Sequence, residues 1–311
     1  MSSFLLSQGF IQSFADSSLF VFKSDHAILY FLLYVDDIII TGSSSTLLNH
    51  FIKKYIRELV QKQGMTNYNP VQTPITPRTS HSDVGSPLSN PHEYRCIVGS
   101  LQYLSFTRPD ITYAMNQASQ YMYHPTSIHL SAVKRILGYL SGSITQSISI
   151  TVASSFSIIA YSDSDWVGCP QTRRSISGYC VLFSGNLVSW SSNKQPTVAR
   201  SSTEAEYRAL TSVAAEITWL QMLLKDIYIS LSAALVALCN NISATYLAYN
   251  PILHSRSKHI AIDYHFVREK VLLGDLTVQH VPTQLQLVDI FTKDLSSSKF
   301  KAVVSNLCLP H

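Results

Sequence analysis

Charge is what this chain has least of. Lys, Arg, Asp and Glu together make up 14% of its 311 residues, against about 25% in an ordinary domain, while 46% are hydrophobic. Intrinsic disorder is excluded, because it requires high charge and little to bury; poor solubility is the matching liability. Cysteine is sparse and unpatterned: Cys96, Cys169, Cys180, Cys239 and Cys308 form no CxxC pair. Nothing in that spacing suggests structural zinc or a disulfide framework, and it points to a reducing compartment. Long hydrophobic runs are missing as well. The longest, Ala27 to Val35, falls far short of the roughly 20 residues that span a bilayer, and it ends at two Asp. The N-terminus lacks the basic-then-apolar order of a signal peptide. These absences predict a soluble protein inside the cell, cytoplasmic or nuclear, with no membrane partner and no indication of oligomeric state. The net charge of +4 is compatible with nucleic acid without identifying it.

What is present centres on Arg200 to Leu224, RSSTEAEYRALTSVAAEITWLQMLL. Ser201 and Thr203 each stand three residues before a Glu, the capping-box spacing that opens a helix. At helical period Glu206, Leu210, Val213, Ile217, Leu220 and Leu224 share one face. Glu204, Arg208 and Thr211 share another, where Glu204 and Arg208 are expected to pair in solvent. A carboxylate that begins a buried stripe needs a partner or a metal, because burying it alone is costly. Upstream, SIIAYSDSDWVG alternates as a strand and delivers Asp163 where the apolar run stops. Downstream, Leu235 to Cys239 is a short apolar strand ending at Asn240 and Asn241. Near the C-terminus QHVPTQLQLVDIFTKDL gives a strand, a break at Pro282 and a helix bearing Asp289.

Taken in order, two apolar runs, Ala27 to Tyr34 and Ile38 to Thr41, flank Asp36 and Asp37 as a buried hairpin with an acidic tip. Residues 66–93 are rich in Pro, Ser, Thr and Asn and read as a linker. From Tyr94 the pattern turns helical and is divided by Pro109 and Pro125. After Ser155 come strands to Asp163, over Ser177–Phe183 and over Leu187–Ser191, with a turn at Ser184–Gly185–Asn186. Helices near 243–248 and 262–273 and a strand over Thr277–Val281 follow. The fold class is therefore mixed α/β (α+β), a mixed sheet with helices packed on it, preceded by a helical stretch and the hairpin. The expected division is 1–62, 63–150 and 151–311.

The segments AYSDSDWVG, SWSSNKQPTVARSSTEAEYRAL, KHIAIDYHFVREKV and VDIFTKDL, in this order, resemble the ribonuclease H domain of copia-type LTR retrotransposon polyproteins. YVDD with its apolar flanks resembles the reverse transcriptase palm motif of the same family, and GSLQYLSFTRPDITYA resembles the connector between the two. The resemblance implies a ribonuclease H-like fold and cleavage of RNA in RNA–DNA hybrids with Mg2+ or Mn2+. It also implies that Asp163, Glu206 and Asp289 are metal-binding acids, with Asp165 a lesser candidate, and that Asp36 and Asp37 descend from the polymerase metal site. The family's fourth acid lies in a C-D-N triplet. Here the triplet reads Cys239–Asn240–Asn241, so Asn240 takes the position with an oxygen but no charge, which implies impaired hydrolysis. His280 is a candidate proton shuttle. Arg173, Arg174, Lys194, Arg200, Arg256, Lys258 and His259 are candidate contacts to a hybrid backbone. Either a hydrolase or a non-catalytic hybrid-binding module fits this pattern. An integrase on the same fold would not need Glu on the first helix, and its His/Cys zinc module is missing.

The palm segment departs from its family. Ahead of the hairpin the only acids are Asp16 and Asp25, outside the family's upstream motif, and SSSTLLNHF runs straight into KKYIRELVQKQGM with no room for primer-gripping strands. The protein is expected not to extend a primed template. Nucleotide incorporation that disappears in an Asp36→Ala/Asp37→Ala variant would overturn this.

Overall fold

The computed structural model describes residues 2–14, 17–24, 27–34, 37–42, 45–65, 69–76, 85–153, 155–250 and 260–307, with 34, 37–42 and 45–49 described in backbone only. By internal packing the chain falls into two compact units, one holding most of residues 1–147 and one spanning 148–310.

The first unit opens with helix α1 (Ser2–Ser7) and an antiparallel sheet of β1 (Ile11–Gln12), β2 (Leu19–Ser24), β3 (Ala27–Tyr34) and β4 (Asp37–Gly42) in sequential order. The β3–β4 pairing is the expected hairpin, with Tyr34 opposite Asp37. Asp36 lies outside the described residues, and Asp37 is described in backbone only. Leu5, Phe10, Phe20, Leu29 and Phe31 form the apolar core beneath this sheet. Helices α2 (Ser45–Lys62), α3 (Pro91–Leu104), α4 (Thr112–Ser119) and α5 (Ser127–Gly142) follow. Pro109 opens a short 3-10 turn ahead of α4, while Pro125 stands just before the capping residue Thr126 of α5. Both prolines thus stand ahead of a helix, where a missing N–H costs nothing. One of the chain's few charges is spent inside this unit. Arg108, 1% exposed, forks onto Asp110 at 2.9 and 2.7 Å and also donates to Gln146 at 3.1 Å, while the Tyr139 hydroxyl donates to Asp110. A buried ion pair persists only when its remaining polar atoms are satisfied like this.

The second unit is a five-stranded sheet: β5 (Ile158–Asp165), β6 (Ile176–Phe183), β7 (Asn186–Lys194), β8 (Leu235–Cys239) and β9 (Leu276–His280). Its order is β7-β6-β5-β8-β9. The first three strands are antiparallel, and β8 and β9 run parallel to β5. This is the mixed sheet with packed helices expected from the sequence. Ser184 and Gly185 both take positive φ, 51° and 81°, as a tight hairpin turn between twisted strands requires. Helix α6 (Ser202–Asp226) lays Tyr207, Leu210, Val213, Ala214 and Ile217 on the sheet, with Leu220 and Leu224 at the margin of the same core. Helices α7 (Ile242–Tyr249) and α8 (Ala261–Leu272) complete that layer, and α9 (Asp289–Thr292) and α10 (Ser297–Asn306) end the unit. Among the described residues no helix is long and apolar enough to cross a membrane.

One expectation is corrected here. Glu204 is not solvated; it is 4% exposed. The segment before α6 folds back over the first turn, so the Arg200 N–H donates to Glu204 Oε2 at 2.8 Å and Arg208 pairs with Oε1 at 2.7 Å. Helical period sees only the helix, whereas this cover comes from outside it.

Gly178 lies opposite Asp163 on the neighbouring strand, and α9 rests against it. A Cβ there would meet Thr292 Cγ2 at 2.8 Å, Phe291 Cβ at 2.9 Å and Val288 Cγ1 at 3.0 Å. Gly178→Ala is expected to destabilise the second unit by about 1–3 kcal/mol, the usual cost of overpacking, read as a lower urea midpoint. An unchanged midpoint would mean that α9 does not press on this strand.

Candidate active site

The strand order collects the polar residues at one end of the sheet. Strand β5 ends at Asp165, β8 ends beside it with Cys239 opposite Ser162, and α6 begins just after β7 reaches the same end. Asp163, Glu206 and Asp289 are all buried there, 1%, 7% and 0% exposed. Two glutamines fix the backbone beneath them. Gln195 Nε2 donates to the Ala205 carbonyl at 2.9 Å, tying the end of β7 to the turn that carries Glu206. Gln286 Nε2 donates to the Ser162 carbonyl at 2.8 Å, and its Oε1 accepts from Val288 N at 3.2 Å just before Asp289.

Asp163 is the hub. Its Oδ1 accepts from Asn240 Nδ2 at 3.0 Å, Thr292 Oγ1 donates to its Oδ2, and the Lys293 ammonium lies 3.3 Å from Oδ2. The same ammonium sits 2.8 Å from Asp289 Oδ1, while Lys299 Nζ holds Asp289 Oδ2. Asn240 thus joins the acids through its amide N–H, and its Oδ1 is buried without a hydrogen-bond partner among the described residues. Asn241 serves the helix instead, since its side chain caps α7 by accepting from Ala244 N at 2.9 Å.

Electrostatics follow from this layout. Burial, reinforced by the Asp163 charge, pushes the Glu206 carboxyl from 4.5 up to about 9; Lys293 and the Ser164 backbone oppose the shift, and Asp289 adds weakly to it. Burial would depress the Lys293 ammonium, but Asp163 and Asp289 outweigh it and raise the group above its ordinary range. Burial and the nearby Glu206 raise the Cys239 thiol to about 12, so it stays protonated with its sulfur 4.0 Å from Glu206 Oε2. With Glu206 protonated, two carboxylates face two ammoniums and the site is balanced as it stands.

Carboxylate oxygens and an unpartnered amide oxygen are hard donors of the type that Mg2+ and Mn2+ take, so the residues fit such an ion in kind. Among the described residues, however, no group of three or more His, Cys, Asp or Glu is arranged to hold a metal. The ammonium between Asp163 and Asp289 gives the physical reason.

The remaining sequence candidates are placed unequally. His280 is exposed at the end of β9, opposite Cys239, and among the described residues makes no hydrogen bond to the three acids. Arg173, Arg174 and Lys194 sit at the same end of the sheet, in the loop before β6 and at the end of β7; Arg200 is exposed just ahead of α6. Arg256, Lys258 and His259 lie outside the described residues.

No protein-family model matches the chain. It is 42% identical over 342 residues, covering 99% of its length, to the retrovirus-related Pol polyprotein from transposon RE1 of Arabidopsis thaliana. To that from transposon RE2 of the same plant it is 42% identical over 338 residues, 97% of its length. Close homologues of the chain are thus retrovirus-related Pol polyproteins from copia-type transposons. The chain spans 23% of the length of either relative. Among solved structures it is similar to LC11-RNase H1 in complex with an RNA/DNA hybrid, at 18% identity and a TM-score of 0.32 over 43% of this chain and 93% of that one. So distant a likeness decides nothing by itself.

Sequence reasoning missed Lys293 and Lys299. Lys293 stands four residues after Asp289, a spacing that puts both on one helical face, so its signal was present. Lys299 reaches back from α10 and had none.

The Glu206 shift makes stability depend on pH. Between about 4.5 and 9 the folded state holds a proton that the unfolded state has released. The stability this confers is complete below about 4.5 and is lost as pH rises through about 9. In EDTA, melting temperature is expected to fall with rising pH across that window, and Glu206→Gln is expected to flatten the fall. Equal pH slopes for the two proteins would rule Glu206 out as the source.

Proposed function

We propose that the second unit is a ribonuclease H-type site for RNA–DNA hybrids, weakened in hydrolysis by Asn240. The observation carrying this reading is the convergence of Asp163, Glu206 and Asp289, from β5, α6 and α9, around one set of shared contacts at one end of the sheet. A divalent cation bound there would supply an activated water and stabilise charge on the leaving oxygen. The chain's own residues do the rest. Asp163 offers anionic oxygens, and Glu206 would do so once a bound cation displaced its proton; Gln195 and Gln286 hold the backbone segments that carry them. Asn240 offers an oxygen without charge, so it cannot replace a carboxylate shared between two cations. Arg173, Arg174, Lys194 and Arg200 would meet the phosphates of a bound hybrid.

A second reading, binding of hybrids without cleavage, is favoured by the two ammoniums that already neutralise Asp289. Polymerase activity is not part of either reading, and the N-terminal sheet is taken as a palm remnant.

Asn240→Asp separates the two. The substitution exchanges a donated hydrogen bond to Asp163 for a like charge, so the metal-free protein is expected to melt slightly lower. Millimolar Mg2+ should reverse that loss, because an ion that binds the folded state stabilises it by mass action. Cleavage of a labelled hybrid is expected to rise about a hundredfold, equivalent to about 2.7 kcal/mol off the barrier. Asn241→Asp, which still caps α7, should change neither. Tight hybrid binding with no cleavage in either protein would favour the binding module. Equal gains from both substitutions would mean that Asn240 is the wrong position.

A further inference from the structure

We propose that Lys293 is a built-in cation of this site, standing in for one of two divalent ions and leaving Asp163, Glu206 and Asn240 Oδ1 to hold a single one. The inference rests on the metal-dependent reading above and concerns how many ions that site accepts.

Three observations carry it. The Lys293 ammonium lies between two carboxylates, 2.8 Å from Asp289 and 3.3 Å from Asp163, both nearly inaccessible to water. Buried carboxylates in such proximity are tolerable only with a positive charge between them, and a compact ammonium supplies it at one point. The cation is also delivered with its anion. Lys293 directly follows α9, its N–H donates to the Asp289 carbonyl at 3.1 Å, and the preceding Thr292 hydroxyl is bonded to Asp163. A second divalent ion would have to expel an ammonium that the fold holds in place. Finally, a buried amide oxygen at the site has no hydrogen-bond partner among the described residues. None of them donates to Asn240 Oδ1, while its own amide N–H is already committed to Asp163. An unpartnered buried acceptor is costly, and a single hard cation would satisfy it.

The experiment uses the full chain with Mn2+ as the probe, counted by electron paramagnetic resonance and calorimetry, alongside melting curves in EDTA. Wild type is expected to bind one Mn2+, and Asp163→Asn to lose it. Lys293→Gln is expected to bind a second ion, or the first about tenfold more tightly. In EDTA it should melt about 5 °C lower or more, because Asp163 and Asp289 then face each other with no ammonium between them and only Lys299 left on Asp289. Lys293→Gln/Asp289→Asn removes that repulsion and should regain the lost stability without the extra ion. If Lys293→Gln alone does not fold in EDTA, recovery of folding in the double variant supports the proposal, and failure of both overturns it. One Mn2+ of unchanged affinity on both wild type and Lys293→Gln overturns this proposal alone. Two on wild type do the same. No Mn2+ on either protein overturns it together with the metal-dependent reading.

Discussion

Burying carboxylates is the constraint on which the second unit turns. Asp163, Glu206 and Asp289 are removed from water at the end of one sheet, and each has a different remedy. Asp289 is held between two ammoniums, Asp163 collects an amide, a hydroxyl and a share of one ammonium, and Glu206 retains its proton. These remedies are linked, because Lys293 serves two of the acids and moderates the third. The network therefore behaves as one electrostatic object rather than three independent residues.

The sheet makes that object possible. A central β5 flanked by an antiparallel hairpin on one side and parallel strands on the other brings chain ends from distant sequence to one edge. Helix α6 is long and anchored by its apolar stripe, so Glu206 enters from a rigid support. Helix α9 spans only Asp289–Thr292 and has little hold of its own. Its position comes from Gln286, from Thr292 on Asp163 and from contact with Gly178.

Much of this was legible in the sequence, for reasons that can be named. Alternation and helical period located every strand and major helix of the second unit, because each buries one apolar face. Asp163 and Glu206 stood out because a charge at the end of an apolar run, or at the start of a buried stripe, is anomalous; Asp289 had no such signal and was singled out by the resemblance of its motif. Glu204 was misplaced because its cover is supplied by Arg200 and the preceding loop, which no helical projection contains. Lys293 was passed over because a lysine near a helix end reads as solvated; only folding brings Asp163 to its other side. Gln195 and Gln286 gave no signal at all, since a buried glutamine differs from a surface one only in what the fold sets against it.

The close approach at Gly178 also bears on how such a sequence can change. Thr292, Phe291 and Val288 occupy the space that a side chain at 178 would need. A larger residue there calls for smaller ones at 288 and 292 and for a shift of the backbone at 291, where the contact is made by a Cβ. Those positions flank the acid Asp289 and its partner Lys293, so drift at an ordinary strand glycine is tied to drift at the buried charges.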